Sequence, residues 1–318
     1  MDERVEVASN FLLQSPPGEI NDVINDVRNI VSDDDLLKEG LLPAIRTYNL
    51  AQFIVVDVPG SDHQSIISEV ARAAAAACTG LNATGTEEEG EGKTESLADE
   101  ERFLDPRSMT SFVFNHLSLE ASDVQKVEPN PDSEPFRKAL ETAVLSYLKS
   151  HYLEGVASVF ALPDTPNQFI IQIVANKYNA ANFCSGRWRS EYVVDLNENK
   201  VTGKVQVNVH YYEQGNVQLA TTHDVSLTLP PAVVTSTPSA SASKILALIE
   251  DEESNYQTSL NETYQEMGEK TFKGLRRALP LTRQKIDWDK AGLILSVDDD
   301  ADYYVGSYRY RVTSWARS

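Results

Sequence analysis

The stretch KILALIEDEESNYQTSLNETYQEMGEKTFKGLRRALP, from Lys244 to Pro280, carries the pattern on which the fold assignment rests. Apolar residues recur in it with the 3.6-residue period of an α-helix, and Pro280 ends the pattern. This apolar stripe consists of Ile245, Leu248, Ile249, Tyr256, Leu260, Tyr264, Met267, Leu275 and Leu279. The pattern predicts one long helix, whose last turns begin a basic segment that runs on to Lys290.

The charge of this stretch changes sign along its length. Between Ile245 and Glu269 the charged side chains are all acidic, which indicates a solvated face. From Lys270 to Lys290 seven basic residues stand against two aspartates, a net charge of +5 in a chain whose net charge is −20. Basic residues suit a helix C-terminus because of the helix dipole, and that explanation stays open. The alternative is a docking patch for an acidic partner.

A run of strand candidates precedes the helix. Their links are short and rich in turn residues, as in Gln214-Gly-Asn216, so consecutive strands must be antiparallel neighbours. Valines alternate with polar residues from Val205 to His210, which indicates one buried and one polar face. The candidates are Val156 to Leu162, Phe169 to Tyr178, Arg187 to Leu196, Val201 to Glu213, and Val217 to Leu229.

The first half of the chain is predicted to form helices and short strands. Three helices are predicted over Val5 to Leu13, Ile20 to Val31 and Asp34 to Asn49; Ser32 or Asp33 would cap the third, and Pro43 would bend or split it. The region after them contains two strand-like runs, two helices and an exposed, partly disordered acidic loop. These are the strands Phe53 to Val58 and Phe112 to Phe114, the helices Val70 to Cys78 and Ser133 to Tyr152, and the loop Gly80 to Glu101.

The fold class predicted is α+β. It combines an N-terminal three-helix region, a five-stranded antiparallel meander sheet covered by one long C-terminal helix, and a C-terminal tail. The expected regions are a helical region at 1–51, a mixed α/β region at 52–152 with the acidic Gly-rich loop at 80–101, the sheet at 153–230, a linker at 231–243, the long helix with its basic segment at 244–290, and the tail at 291–318.

Composition excludes several classes of protein. The 318 residues are 41% hydrophobic, and neither an apolar leader after Met1 nor a run of about 18 apolar residues suggests secretion or a membrane span. The two cysteines, Cys78 and Cys184, have no ligand spacing, so reduced thiols in the cytosol are expected. An isoelectric point near 4.6 argues against binding nucleic acid.

Motifs for catalysis, cofactors or metals are not found in the sequence. The five histidines lack metal-ligand spacing and are expected to be surface or strand residues. Gly92-Lys93-Thr94 would need a glycine where Glu87 stands to form a phosphate-binding loop, so a nucleotide hydrolase using Lys93 is only an alternative. Arg187-Trp188-Arg189 could be a nucleic-acid patch, but strand alternation favours a core tryptophan flanked by cross-strand ion pairs.

Several stretches are similar to the α subunit of the F-actin capping protein. The most specific are Phe183 to Ser190 and Val207 to Val217, and the stretch Thr271 to Lys290 resembles the family's C-terminal region. Cys184 and Ser185 stand where the family usually has Trp and Asn, which implies a packing change. The likeness covers Ser9 to Lys290, apart from the acidic loop.

The resemblance implies a non-catalytic subunit without cofactor or metal. In the family, the α subunit pairs with a β subunit of similar fold, and each contributes five strands to one continuous sheet under two long antiparallel helices. The heterodimer binds the barbed end of the actin filament and blocks subunit exchange, without needing Ca²⁺ and without severing. Cytoplasmic, cortical actin structures would be its location. The actin-facing cations carried over are Lys273, Arg276, Arg277, Arg283 and Lys285.

The chain departs from the family after Lys290. Where the family has an amphipathic, partly basic tail that lies on actin, this chain has a strand-like alternation, four aspartates and an end rich in Tyr and Arg. It is either a divergent tail or a mispredicted terminal exon. A rival function is therefore a scaffold that forms the heterodimer but caps weakly. The residues concerned are Leu293, Leu295 and Val297, then Asp298, Asp299, Asp300 and Asp302.

Overall fold

A computed structural model describes most of the chain. The residues it describes are 3–31, 34–79, 100–152, 154–162, 165, 167–179, 181, 183–211, 217–266, 300–305 and 308–313. Among these residues, no helix is both long and apolar enough to cross a membrane.

The N-terminal region is helical, as predicted. It comprises α1 (Glu3–Leu13), α2 (Ile20–Val31) and α3 (Asp34–Ala51), which share a small apolar core. A Cβ at Gly40 would lie 2.6 Å from the Val5 side chain, so glycine allows α1 and α3 to approach closely. Pro43 lies inside α3, and the helix continues through it rather than splitting.

The middle region holds more strands than the sequence indicated. A hairpin of β1 (Val55–Asp57) and β2 (Gln64–Ile66) leads into α4 (Glu69–Thr79), as its apolar pattern suggested. A three-stranded antiparallel sheet follows, formed by β3 (Glu100–Asp105), β4 (Thr110–Asn115) and β5 (Glu120–Lys126). The loop was predicted to extend to Glu101, and that boundary is wrong because Glu100 and Glu101 open β3.

The five-stranded antiparallel meander is confirmed. After α5 (Glu134–His151) the chain forms β6 to β10, which pair in the order β10-β9-β8-β7-β6. The short links and the alternation of side chains fix this order, because each strand can pair only with its neighbour in sequence. The strands are β6 (Val156–Ala161), β7 (Gln168–Asn179), β8 (Cys184–Asp195), β9 (Lys200–Tyr211) and β10 (Val217–Thr228).

The connection back to the long helix is itself largely helical. It contains α6 (Pro231–Val234), and the long helix α7 spans Pro238–Glu266, so it begins at Pro238 rather than at Lys244. A proline at the first position suits a helix start, and the Ser/Ala residues that follow tolerate helix well. The Ser241 hydroxyl donates to the Val233 carbonyl at 2.5 Å and fixes α7 to α6.

The sheet carries one layer on each face. Helices α5 and α7 cover the upper face, where Trp188 and Tyr192 are at most 1% exposed. A Cβ at Gly203 would lie 2.5 Å from the Tyr192 ring, so glycine in β9 makes room for that ring. The lower face of β6 to β8 packs against α4 and the β3–β4 sheet around Phe103, Phe112 and Phe114.

A hairpin lies near the end of the chain. Strands β11 (Asp300–Val305) and β12 (Tyr308–Thr313) pair antiparallel, with Asp300 opposite Thr313. The strand-like alternation predicted at Leu293 to Val297 lies outside the described residues, as does the Gln214 to Asn216 turn.

Candidate functional site: helix α7 and the open edge of the sheet

The predicted basic site follows α7 in the sequence. Its residues, Lys273, Arg276, Arg277, Arg283 and Lys285, lie outside the described residues, as does the predicted helix from Met267 to Leu279. The described part of α7 ends at Glu266, seven residues before Lys273. The structure therefore shows how the helix that leads into the basic segment is held.

Helix α7 is buried in its first half and becomes more exposed between Tyr256 and Thr263. Ile245 and Ile249 are 0% exposed under the helix, and Tyr256 is the last buried residue of the described apolar stripe. Leu260 is only partly buried, and its neighbours Ser259 and Asn261 are exposed. Within the described residues, the apolar stripe is therefore fully buried as far as Tyr256 and only partly buried at Leu260.

A buried carboxylate fixes the middle of α7. Glu253 is 1% exposed and accepts four hydrogen bonds, all from neutral hydroxyl groups. Its Oε2 accepts from Tyr147 at 2.5 Å and from Tyr152 at 2.6 Å. Its Oε1 accepts from Tyr192 at 2.6 Å and from Ser190 at 3.3 Å. One side chain therefore joins α7 to α5, to the residue after α5 and to β8.

Burial governs the protonation of this cluster. It raises the pKa of Glu253, although the four hydroxyl donors oppose the shift. Burial and the Glu253 carboxyl together raise the pKa values of Tyr147, Tyr152 and Tyr192. The tyrosines thus remain hydrogen-bond donors at any physiological pH.

Two histidine pairs flank Glu253. On one side the His151 Nε2 lies 3.0 Å from Glu250 Oε1, which links α7 to α5. On the other side His223 of β10 lies 2.8 Å from Glu252 Oε1 and stacks on the Tyr256 ring with centroids 4.4 Å apart. The acidic residues of α7 therefore contact three different elements: Glu250 contacts α5, Glu253 contacts α5 and β8, and Glu252 contacts β10.

The prediction that all glutamates of this half of α7 face solvent is wrong at Glu253. The side chain stands on the apolar stripe, four residues after Ile249 and three before Tyr256. That spacing was the available signal. It was missed because a carboxylate on the apolar stripe is expected only where hydroxyl donors are present, and these come from distant parts of the sequence.

Strand β10 is the outer strand of the five-stranded sheet among the described residues. Among the described residues its ladder partner is β9, which it follows from Val217 to Thr228. At the opposite edge, β2 lies beside β6. The twelve residues of β10 include one carboxylate, Asp224, and neither lysine nor proline, the residues that commonly protect an edge from further pairing.

The two arginines of β8 bind the lower face of the sheet to the end of α3 and the residue that follows it. Arg187 donates to Gln52 Oε1 and to the Tyr48 hydroxyl, both at 2.6 Å, and Arg189 donates to the Gln52 carbonyl at 2.5 Å and to Asn176 Oδ1 at 2.8 Å. These partners are neutral oxygens, so the predicted cross-strand ion pairs are wrong. Burial, followed by repulsion from Arg187, lowers the pKa of Arg189 to about 9.

Trp188 is buried, as the core alternative predicted, and it offers no stacking surface to nucleic acid. It is 1% exposed and lies between Tyr152 and Tyr256, with ring centroids 6.0 and 6.2 Å away.

The histidines were expected to be surface or strand residues, and this is wrong for His116. It is 0% exposed in the turn after β4, where Glu101 and Asn49 contact it. In the described part of the chain, no group of three or more His, Cys, Asp or Glu side chains is arranged to hold a metal ion.

Comparison with known proteins gives consistent results. A sequence model of a protein family described as "F-actin capping protein alpha subunit" matches residues 8–298. The F-actin-capping protein subunit alpha of Caenorhabditis elegans is 37% identical over 299 residues, which cover 91% of this chain and 94% of the relative. That of Emericella nidulans is 34% identical over 293 residues, covering 92% and 95%.

The fold is also found in a solved structure. The homodimeric actin capping protein alpha subunit from Plasmodium berghei superimposes with a TM-score of 0.64 over 89% of this chain and 99% of that chain. The sequence identity is 21%, so this likeness shows the shared fold. Residues 299–318 of the present chain follow the end of the family match.

Proposed function

Because this chain belongs to the F-actin capping protein alpha-subunit family, we propose that it is one subunit of a heterodimer that caps the barbed ends of actin filaments. In this proposal it pairs with a capping protein β subunit and blocks subunit gain and loss, without Ca²⁺ and without severing. It would act in the cytoplasm, at cortical actin structures.

The observation that carries the proposal is the arrangement of α7 above β10. The open edge of β10 and the end of the buried stripe at Tyr256 lie close together, since the Tyr256 hydroxyl is 3.3 Å from Thr221 Oγ1 of β10. A second chain that extended the sheet at β10 would supply backbone hydrogen bonds to the edge and an apolar surface under Leu260. One partner of similar fold would therefore both pair with β10 and cover Leu260.

The partner could also be a second copy of this chain. The Plasmodium berghei relative is described as homodimeric. Size measurement of the chain alone and with a co-expressed β subunit distinguishes the two arrangements. We expect the heterodimer to form in preference.

Contact with actin is assigned to the basic segment. The cations Lys273, Arg276, Arg277, Arg283 and Lys285 belong to a region of net charge +5 that would steer association with acidic actin. Exposed ion pairs contribute only about 0.2 to 1 kcal/mol each, so several must act together with apolar burial.

The test is elongation from actin seeds at their barbed ends in the presence of the co-expressed heterodimer. We expect nanomolar heterodimer to stop elongation. Unaltered elongation, with the heterodimer intact by size measurement, would contradict capping and favour the scaffold alternative. That alternative draws support from the tail, where a β11–β12 hairpin follows the family match.

A further inference from the structure

We propose that Glu253 is a positioning residue that holds α7 on the sheet in a pH-dependent manner and thereby sets how the basic segment is presented to actin. The link to actin rests on the proposed function. The hold on α7 can be measured without actin.

Glu253 is surrounded by neutral hydrogen-bond donors. Its four donors are the hydroxyl groups of Tyr147, Tyr152, Tyr192 and Ser190, so the contacts do not supply a positive charge to balance an ionised carboxylate. When Glu253 ionises, the site under α7 gains an uncompensated buried charge, which is costly in a low-dielectric environment. The raised pKa of Glu253 agrees with this geometry.

The hold on α7 should weaken as the pH rises. We call α7 docked when it lies on the sheet with Glu253 buried, and open when Glu253 is in water. Burial makes the pKa of Glu253 higher in the docked state, so Glu253 stabilises docking fully below its ordinary pKa of 4.5, and this contribution is lost as the pH rises through the higher value. The cluster should therefore hold α7 more weakly as the pH increases.

Other titratable groups lie around Glu253 on each of the elements packed against it. From α5 these are Tyr147 and His151, from the residue after α5 Tyr152, from β8 Tyr192, and from β10 His223; on α7 they are Glu250, Asp251 and Glu252. His151 pairs with Glu250 and His223 pairs with Glu252, and both pairs are kept in Glu253→Gln, so a comparison with that variant isolates the carboxyl group of Glu253.

The experiment measures amide hydrogen exchange in α7 from pH 4.5, the ordinary pKa of glutamate, to pH 8.5. It uses the full chain in complex with a capping protein β subunit, and protection factors correct for the intrinsic exchange rate. Amides of β3 and β4, which lie in the lower layer away from Glu253, serve as the internal reference. We expect protection in α7 to fall about tenfold across this range as Glu253 ionises.

Two variants of α7 provide the comparison. Glu253→Gln keeps the shape without the ionisable group and should reduce the change to about threefold or less. Glu262→Gln is the matched control, because Glu262 is exposed on the same helix, and it should behave as the wild type. Identical pH profiles in wild type and Glu253→Gln would overturn the proposal.

A third variant decides the matter if Glu253→Gln fails to fold. Tyr152→Phe removes one donor to the ionised carboxylate, so the loss of α7 protection should move to higher pH. A shift to lower pH, or none, would overturn the proposal.

The fluorescence of Trp188, which packs under Tyr256, gives a second readout of the same transition. It is measured in a Trp288→Phe/Trp315→Phe background, so that Trp188 is the one tryptophan left in the sequence.

The link to actin is tested by seeded elongation at pH 6.5 and pH 8. We expect capping by the wild type to weaken severalfold more between these values than capping by Glu253→Gln. Equal pH dependence, with α7 protection changing as expected, would overturn the positioning role. Absence of capping by every form at both pH values would contradict the proposed function instead, and the exchange result would stand.

Discussion

A single carboxylate, Glu101, joins three elements of the lower layer. Its two oxygens accept from Arg46 of α3 at 2.9 and 3.0 Å, and Oε2 lies 3.0 Å from the buried His116 ring after β4. Burial opposes ionisation of Glu101, but the hydrogen bonds from His116 and Arg46 outweigh it and lower its pKa to about 2. This carboxylate is therefore held ionised, whereas burial shifts the pKa of Glu253 in the opposite direction.

We expect Glu101→Gln to destabilise the chain by about 1–3 kcal/mol at pH 7, because Arg46 and His116 lose a charged acceptor. The native pKa is depressed, so the contribution is present above the ordinary glutamate pKa of 4.5 and is lost as the pH falls towards 2. Urea unfolding at pH 7 and pH 3 measures it, and the gap between wild type and variant should shrink at pH 3. Glu120→Gln, at an exposed position of β5, is the control. An equal gap at both pH values would contradict the assignment.

The basic segment can be tested at the same scale. Arg276→Glu/Arg277→Glu reverses two cations of the +5 region, so we expect slower association with filament ends and a weaker dependence on salt. Elongation kinetics at 50 and 200 mM KCl measure both. The matched control is Lys126→Glu/Lys149→Glu, which reverses two exposed cations on β5 and α5. Equal effects of the two double variants would remove the segment from the mechanism.

At the scale of elements, α7 and β10 are where we expect the partner of the proposed dimer to bind. The 29 residues of α7 extend about 43 Å at 1.5 Å per residue, and the described burial ends at Tyr256. The stripe residue that follows it, Leu260, packs only partly against the core. We infer that its remaining apolar surface belongs to the subunit interface of the proposed dimer.

Leu260→Asp is therefore expected to weaken association with the β subunit by about 10- to 100-fold, since it replaces buried apolar surface with charge. Dilution of the heterodimer followed by size measurement gives the dissociation constant, and thermal unfolding of the separate chain reports any intrinsic loss. Ser259→Asp, one residue away on the exposed side, should leave the affinity unchanged. An effect on unfolding alone would place Leu260 in the core of this chain and not at the interface.

At the scale of the whole molecule, the sequence predicts what is decided locally. The meander could be predicted because alternation and short links act within a few residues of each other. Strands β3 and β5 could not, since EERFLD and EASDVQK are rich in residues that disfavour strands and depend on pairing with β4. The partners of Glu253, Arg187 and Arg189 were missed for the same reason, because each is distant in sequence.

The tail provides the last prediction. Residues 291–318 contain four aspartates and three arginines, so their removal hardly changes the charge of the molecule. The described part is a two-stranded hairpin, an element of little stability by itself. A chain that stops at Lys290 should therefore cap within about threefold of the full chain if the +5 segment supplies the electrostatic attraction. Seeded elongation with both heterodimers measures this, and a chain that stops at Glu269 should lose capping. A tenfold or greater loss on removing the tail alone would instead place actin contacts beyond Lys290, and the basic segment would then account for only part of the binding.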